Sequence, residues 1–246
     1  MSLETEIAGL SSKVTALIEY FTTAKTAIAK AVADAVAAAP AISRTFYVNQ
    51  LIGDDNAAGS STAPFKTIDR AITSTPDGGL ADIVLVEDYA LASIIAVGRR
   101  RVMIRGDVST TNTRKLLLNE FAAEGNTKRF GGFQVLLASS LDFADLTISL
   151  PDSVGGMAGT PGSFYAMIFA GGNRLPGFMQ VKFYNTVFTL RGTFTGKIVG
   201  SGFPCLTLTI TNSTVPAALE GSLVMGVEAG KDPNTIPWLV TNVTKL

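Results

Sequence analysis

A long coiled-coil helix followed by a mainly β body is the architecture this sequence predicts. Two observations predict it. Residues 3–38 carry an unbroken heptad of apolar positions, and from residue 81 onward short apolar, β-branched runs recur with an acidic or amide residue at matching places. A third observation, a balanced and sparse charge set without histidine, limits what that body can do.

In the heptad, Ile7, Val14, Phe21, Ile28 and Ala35 take the a positions, and Leu3, Leu10, Leu17, Ala24, Ala31 and Ala38 the d positions. A 3.5-residue period kept this long marks helices that supercoil around copies of themselves. The alternative is one amphipathic helix packed on its own domain, but globular helices rarely pass about 25 residues. Ile18 and Val32 at e and Ala27 at g widen the apolar stripe, and Phe21 is bulky for a two-stranded seam. These features favour three strands, against the two that β-branched a positions with Leu at d would favour. Residues 1–40 are therefore expected to be a trimerisation segment whose interface is the a and d set.

Composition narrows the chemistry. Lys plus Arg equal Asp plus Glu at 20 each, and charged residues make up 16% of the chain. A nucleic-acid binder would show a basic excess. The absence of His removes the commonest general base and metal ligand. A single Cys205 permits neither an internal disulfide nor a thiolate zinc cluster, and its place beside Pro204 at the head of an apolar run reads as a buried thiol. No metal and no cofactor is expected. Lys25, Lys30 and Asp34 interrupt the Ala-rich helix, so no membrane insertion is expected either. The chain is nevertheless 47% hydrophobic. Oligomerisation would cover faces that a monomer leaves in water.

Pro40 ends the helix. Residues 41–80 read as a linker, a strand at Phe46-Tyr47-Val48, and a short capping helix. For that helix Ser61 and Thr62 are the candidate caps, Pro64 suits the first turn, and Phe65, Ile68 and Ile72 share one face. Between strand and helix, Gly53-Asp54-Asp55-Asn56 lacks the alternating ligand spacing of a calcium loop and reads as a solvated turn.

Residues 81–246 read as strands. Ile83–Val86, Val102–Ile104, Leu116–Leu118 and Phe133–Leu137 are apolar runs bounded by turn formers. Later segments share a template around Asp145, Asn185, Asn212 and Asn242, which are 40, 27 and 30 residues apart. Such a repeat suggests stacked coils of a parallel β-solenoid, with the Asp or Asn at the bend between strands. An ordinary β-sandwich with look-alike turns would give a similar pattern.

Tyr47-Val48-Asn49, the Gly53-Asp54-Asp55-Asn56 turn and Pro64-Phe65-Lys66-Thr67-Ile68-Asp69-Arg70-Ala71-Ile72 together resemble the start of pectin-lyase-like right-handed β-helices, where a short strand and a capping helix precede the first coil. Ile83–Tyr89 and Val102–Asp107 resemble the first coil strands. Coiled coil, cap and β-helix together are similar to bacteriophage tail fibres and tailspikes, which are homotrimers. The resemblance implies a trimeric virion protein in the phage tail, made in the host cytoplasm. Its rod would join tail or baseplate proteins, and its β-helix would meet a host surface polysaccharide or lipopolysaccharide. It also allows a polysaccharide depolymerase with paired carboxylates, or a purely structural fibre or decoration protein. Past residue 140 the acids are Asp142, Asp145, Asp152, Glu220, Glu228 and Asp232. Of these, Asp142 and Asp145 could converge, although the repeat uses Asp145 as a bend.

Receptor contact is expected from the Gly/Pro-rich stretches 151–163, with Tyr165 beside it, and 170–177, which holds Arg174, and from Arg101 and Arg105 in the basic cluster that begins at Arg99. The competing reading of that cluster is a solvated edge that deters strand pairing. Phe164, Tyr165, Phe178 and Tyr184 flank the loops, and burial in the core is the expectation for each.

Overall fold

The computed structural model describes residues 2–38, 42–109, 113–123, 128–137, 139–152, 166–171, 177–200 and 204–246, with residues 35–38 as backbone alone. The chain forms two compact units, Met1–Ala41 and Ile42–Leu246.

The first unit is helix α1 (Leu3–Ala38), continuous over 36 residues. That is a rod of roughly 54 Å at 1.5 Å per residue. Glu4 and Glu6 lie in its first turn, where negative charge suits the helix dipole. Thr15, Thr22 and Thr26 return their hydroxyl protons to carbonyls one turn back, at 3.0, 2.8 and 2.9 Å. Such back-bonds satisfy the hydroxyls within the helix, at the cost of a slight tendency to bend it. The apolar seam is bare: Leu3 is 72% exposed, Phe21 61% and Ile28 64%. Ala24 is half-buried and Ala31 exposed, whereas Ala35 and Ala38 lie outside the described side chains.

The second unit begins with β1 (Ser43–Val48) and α2 (Ile68–Thr73). The chain then circulates through three parallel sheets. Its first circuit is β2 (Leu80–Leu85), β3 (Tyr89–Leu91) and β4 (Ile94–Gly98). The second is β5 (Arg101–Gly106) and β6 (Arg114–Leu118), then an inserted hairpin of β7 (Glu120–Ala122) and β8 (Lys128–Phe130), then β9 (Gly132–Leu136). The third is β10 (Ser140–Ala144), β11 (Leu146–Leu150) and β12 (Ala166–Ala170). The fourth is β13 (Met179–Tyr184), β14 (Val187–Leu190) and β15 (Lys197–Val199). β16 (Leu206–Thr211) opens a fifth that continues through single bridges at Thr214 and Val224, and β17 (Leu239–Thr241) closes the first sheet.

The sheet orders are β1-β2-β5-β10-β13-β16-β17, β14-β11-β6-β3 and β15-β12-β9-β4. Every pairing in them is parallel, which excludes the antiparallel sandwich as the alternative. Only the β7–β8 hairpin is antiparallel among the described strands. Sequence spacing gave no sign of it.

Alternation along each strand builds the core. Phe46, Ile83, Ile104, Phe143 and Phe183 face inward at matching registers, each less than 2% exposed. Phe143 stacks on Phe183 with centroids 5.2 Å apart, and Phe133 and Phe188 meet the stack edge-on at 5.6 and 5.1 Å. Such contacts add about 0.5–1.5 kcal/mol each beyond area burial.

Corners have their own chemistry. Asp145, Asn185 and Asn212 take left-handed backbone, with φ of 52°, 48° and 51°, after the last residue of successive first-sheet strands. Asn and Asp tolerate that region better than other side-chain-bearing residues. Gly106 occupies the equivalent position one circuit earlier, where an added Cβ would lie 2.3 Å from the Asp145 carbonyl oxygen. Asn242 departs from the repeat. It lies at a different register and keeps ordinary φ, and its amide accepts from Ile210 N–H at 2.9 Å and donates to Ile210 C=O at 2.7 Å. Gln50 does the same for Ala90, at 2.8 and 3.0 Å. In both places a side-chain amide supplies the rung that a strand would have supplied.

The cap differs from expectation. The N-cap of α2 is Thr67, not Ser61 or Thr62, and its hydroxyl accepts from Arg70 N–H at 3.1 Å. Phe65 precedes the helix and bridges Val48 in parallel. Nor is Asp55 simply solvated: it accepts from Lys66 N–H, Thr67 N–H and the Thr67 hydroxyl, all at 2.9 Å. N–H groups at the entry to a helix of any length find no partner within it, and a loop carboxylate takes those of Lys66 and Thr67. Asp54 keeps a local turn with Asn56 N–H at 2.9 Å.

Candidate functional site

Alternation that turns apolar residues inward turns the others onto the outer face of the first sheet. On β5 this puts Arg101, Met103 and Arg105 outward and buries Val102 and Ile104. Ser140 and Asp142 stand beside Arg101 and Met103 on the next strand, followed by Gln180, Lys182 and Tyr184 on β13. The result is a strip of charge, hydroxyl and amide that ends in an aromatic ring.

The arginine cluster divides by partner. Arg99 and Arg100 both reach Asp77 at 3.2 Å, and Arg100 also donates to the Thr75 and Gly98 carbonyls at 2.6 and 3.0 Å. Arg105 holds Asp82 with two parallel bonds of 2.8 and 2.9 Å, and Thr45 adds a third bond to that carboxylate at 2.9 Å. The Asp82 bonds raise the proton affinity of Arg105 further. A bidentate pair of this kind sets the sheet surface and uses the fork that a phosphate would need. Arg101 stays exposed, with no hydrogen bond or ion pair to any described residue. Of the two arginines expected to meet a receptor, Arg101 is free to do so and Arg105 is engaged by its own chain.

Next to Arg101 lie two polar groups without a hydrogen-bond partner among the described residues. The Ser140 hydroxyl oxygen and Asp142 Oδ1 are buried and accept no bond. Burial pushes the Asp142 carboxyl above the usual carboxylate range, against the pull of Lys182 and Arg101. The Lys182 ammonium sits 5.7 Å from the centre of the Tyr184 ring. Asp145 belongs to the corner and accepts from Asn185, so it does not serve the same face as Asp142.

Tyr184 and Phe178 are 42% and 51% exposed, which corrects the expectation that both lie in the core. Tyr184 is the last residue of an alternating strand, on its outward phase, and Phe178 stands just before that strand begins. Arg174, Tyr165 and Phe164 lie outside the described residues, as do most of both loops that carry them. Cys205 is half-buried rather than fully buried and stands just before β16 as a free thiol. Among the described residues no group of three His, Cys, Asp or Glu could hold a metal ion. No described helix is long and apolar enough to cross a membrane.

Sequence reasoning passes over a cavity near the C-terminus, of about 360 Å³, at Trp238. The signal for it is the chain's single Trp within a dozen residues of Gly226, Gly230, Pro233 and Pro237. No family model matches this chain, and no curated protein matches it either.

Proposed function

We propose that this chain is a short tail fibre of a bacteriophage, a homotrimer that attaches to the tail or baseplate and binds a host surface polysaccharide such as lipopolysaccharide. The observation that carries the reading is a 36-residue helix with a bare heptad seam, on the same chain as a stack of parallel circuits. A bare seam that long is covered by copies of itself, and the e and g residues favour three. The circuits form a right-handed parallel β-helix, because crossovers between parallel strands are right-handed in about 98% of cases.

Adhesion without cleavage suits the chemistry. Glycoside hydrolysis needs two convergent carboxylates. On the outer face Asp142 has cations as its charged neighbours, and Asp145 is tied to Asn185. Arg101, Gln180, Lys182 and Tyr184 offer donors and a ring on a rigid sheet. Weak contacts of this kind gain from threefold repetition, which raises avidity by roughly 10² or more when all sites engage. The test is incubation of the protein with polysaccharide purified from candidate hosts. Retention on the polysaccharide with no new reducing ends supports the reading. New reducing ends would make the protein a depolymerase, and no retention beside firm attachment to virion parts would make it a purely structural fibre.

A further inference from the structure

The cavity at Trp238 is made by the final turns of the chain. Asp232 caps a 3-10 turn at Pro233–Thr235, accepting from Asn234 N–H at 2.9 Å. Pro233, Ile236 and Leu239 are buried beneath, and the Trp238 carbonyl accepts from Leu206 N–H at 2.8 Å. Gly230 N–H donates to the Leu246 carbonyl at 2.7 Å, which ties the opposite wall to the chain end. The walls are thus fixed by backbone bonds and core burial.

The lining combines three kinds of surface. Trp238 packs partly on the core and lines the cavity. Glu228 and Lys231 stand on the wall, exposed, with no side-chain bond or ion pair to any described residue. Gly226, Val227, Thr235, Ile236 and Pro237 complete it. At about 360 Å³ the space is near the lower end of small-ligand sites.

We propose that this cavity binds one neutral sugar ring, as the terminal or branch unit of the polysaccharide. The proposal deepens the adhesive reading and rests on it. The indole face is negative and attracts the polarised C–H groups on one side of a pyranose. Glu228 accepts from ring hydroxyls and Lys231 donates to them, both as charge-assisted bonds. Glu228 and Lys231, three residues apart on the wall, set a like charge against a ligand of either sign. A hydroxyl, which both donates and accepts, satisfies the two together.

Trp238 is the only tryptophan, so its fluorescence reports on this cavity alone. The full chain is titrated with methyl glycosides of glucose, galactose, mannose and rhamnose, and with gluconate, which has the hydroxyls but no ring and carries charge. The expected result is a saturable change with at least one glycoside, at a Kd of roughly 1 mM, and none with gluconate. Glu228→Gln and Lys231→Met keep the reporter, and each weakens binding at least about tenfold, the value of one hydrogen bond to a charged group. Their unliganded spectra match the parent, which establishes an intact cavity. No saturable response to any glycoside, an equal response to gluconate, or unchanged affinity in both variants overturns the proposal. A fibre that is retained on host polysaccharide while its fluorescence does not move removes this site and leaves the adhesive reading. A saturable glycoside response in a fibre that ignores every host polysaccharide keeps the site and removes the reading.

Discussion

Asn185 donates through Nδ2 to Oδ1 of Asp145 at 2.7 Å, and both residues hold left-handed backbone at stacked corners of successive circuits. One residue type therefore performs two tasks: it accepts a positive φ and links neighbouring turns. Asn185→Gly keeps the backbone and loses the bond, at a cost of about 1 kcal/mol. Asn185→Val loses the bond and strains a β-branched residue at positive φ, for about 2–4 kcal/mol in all. Urea unfolding should rank the two in that order.

Phe183→Ala empties the middle of the inward column. Phe183 is fully buried, stacked on Phe143 and in edge contact with Phe188. The expected loss is about 3–5 kcal/mol, and Phe183→Leu should recover more than half of it. Thermal unfolding of the three proteins checks this.

Asp55→Ala removes three bonds at the start of α2. The N–H groups it leaves can turn partly to water, so the expected cost is about 1–2 kcal/mol. Hydrogen exchange at Ile68–Thr73 should quicken ahead of exchange in the strands.

Asp142 gives a pH dependence of unusual sign. Burial holds its folded pKa above the ordinary 3.8, so the folded chain binds that proton more tightly than the unfolded chain does. Its contribution to stability is complete below the ordinary value and is lost as pH rises through the folded one. Asp142→Asn should therefore be more stable than the parent at pH 7, with the advantage gone below about pH 4. Chemical denaturation at the two pH values measures it.

The legible parts of the fold were those with one local cause. Heptad spacing yields a helix wherever it runs unbroken, and α1 extends over the residues that carry it. Asp145, Asn185 and Asn212 were readable as corners because few other residues accept positive φ. Asn242 carries the same local pattern, but its role depends on a rung missing from the neighbouring strand, which spacing does not encode. The start of α2 lies later than the cap candidates because its N-cap, Thr67, is held by Asp55 from twelve residues away in the chain. Arg105 was expected to face a ligand, but nothing in the sequence announces that Asp82 on the neighbouring strand comes within reach of it. The Trp238 cavity depends on a chain end folding back through Gly230 and Leu246, again a long-range contact.

The central claim is that α1 holds three copies together, and sedimentation equilibrium of the full chain beside an Ile7→Asp, Leu17→Asp, Ile28→Asp variant tests it most directly. On the proposed reading the bare seam is covered by copies of itself, and the wide stripe at Ile18 and Val32 favours three over two. The account predicts a mass of three chains of 25.7 kDa each for the parent at micromolar concentration, and a single chain for the variant. A parent that sediments as one chain, or a variant that remains trimeric, would contradict it.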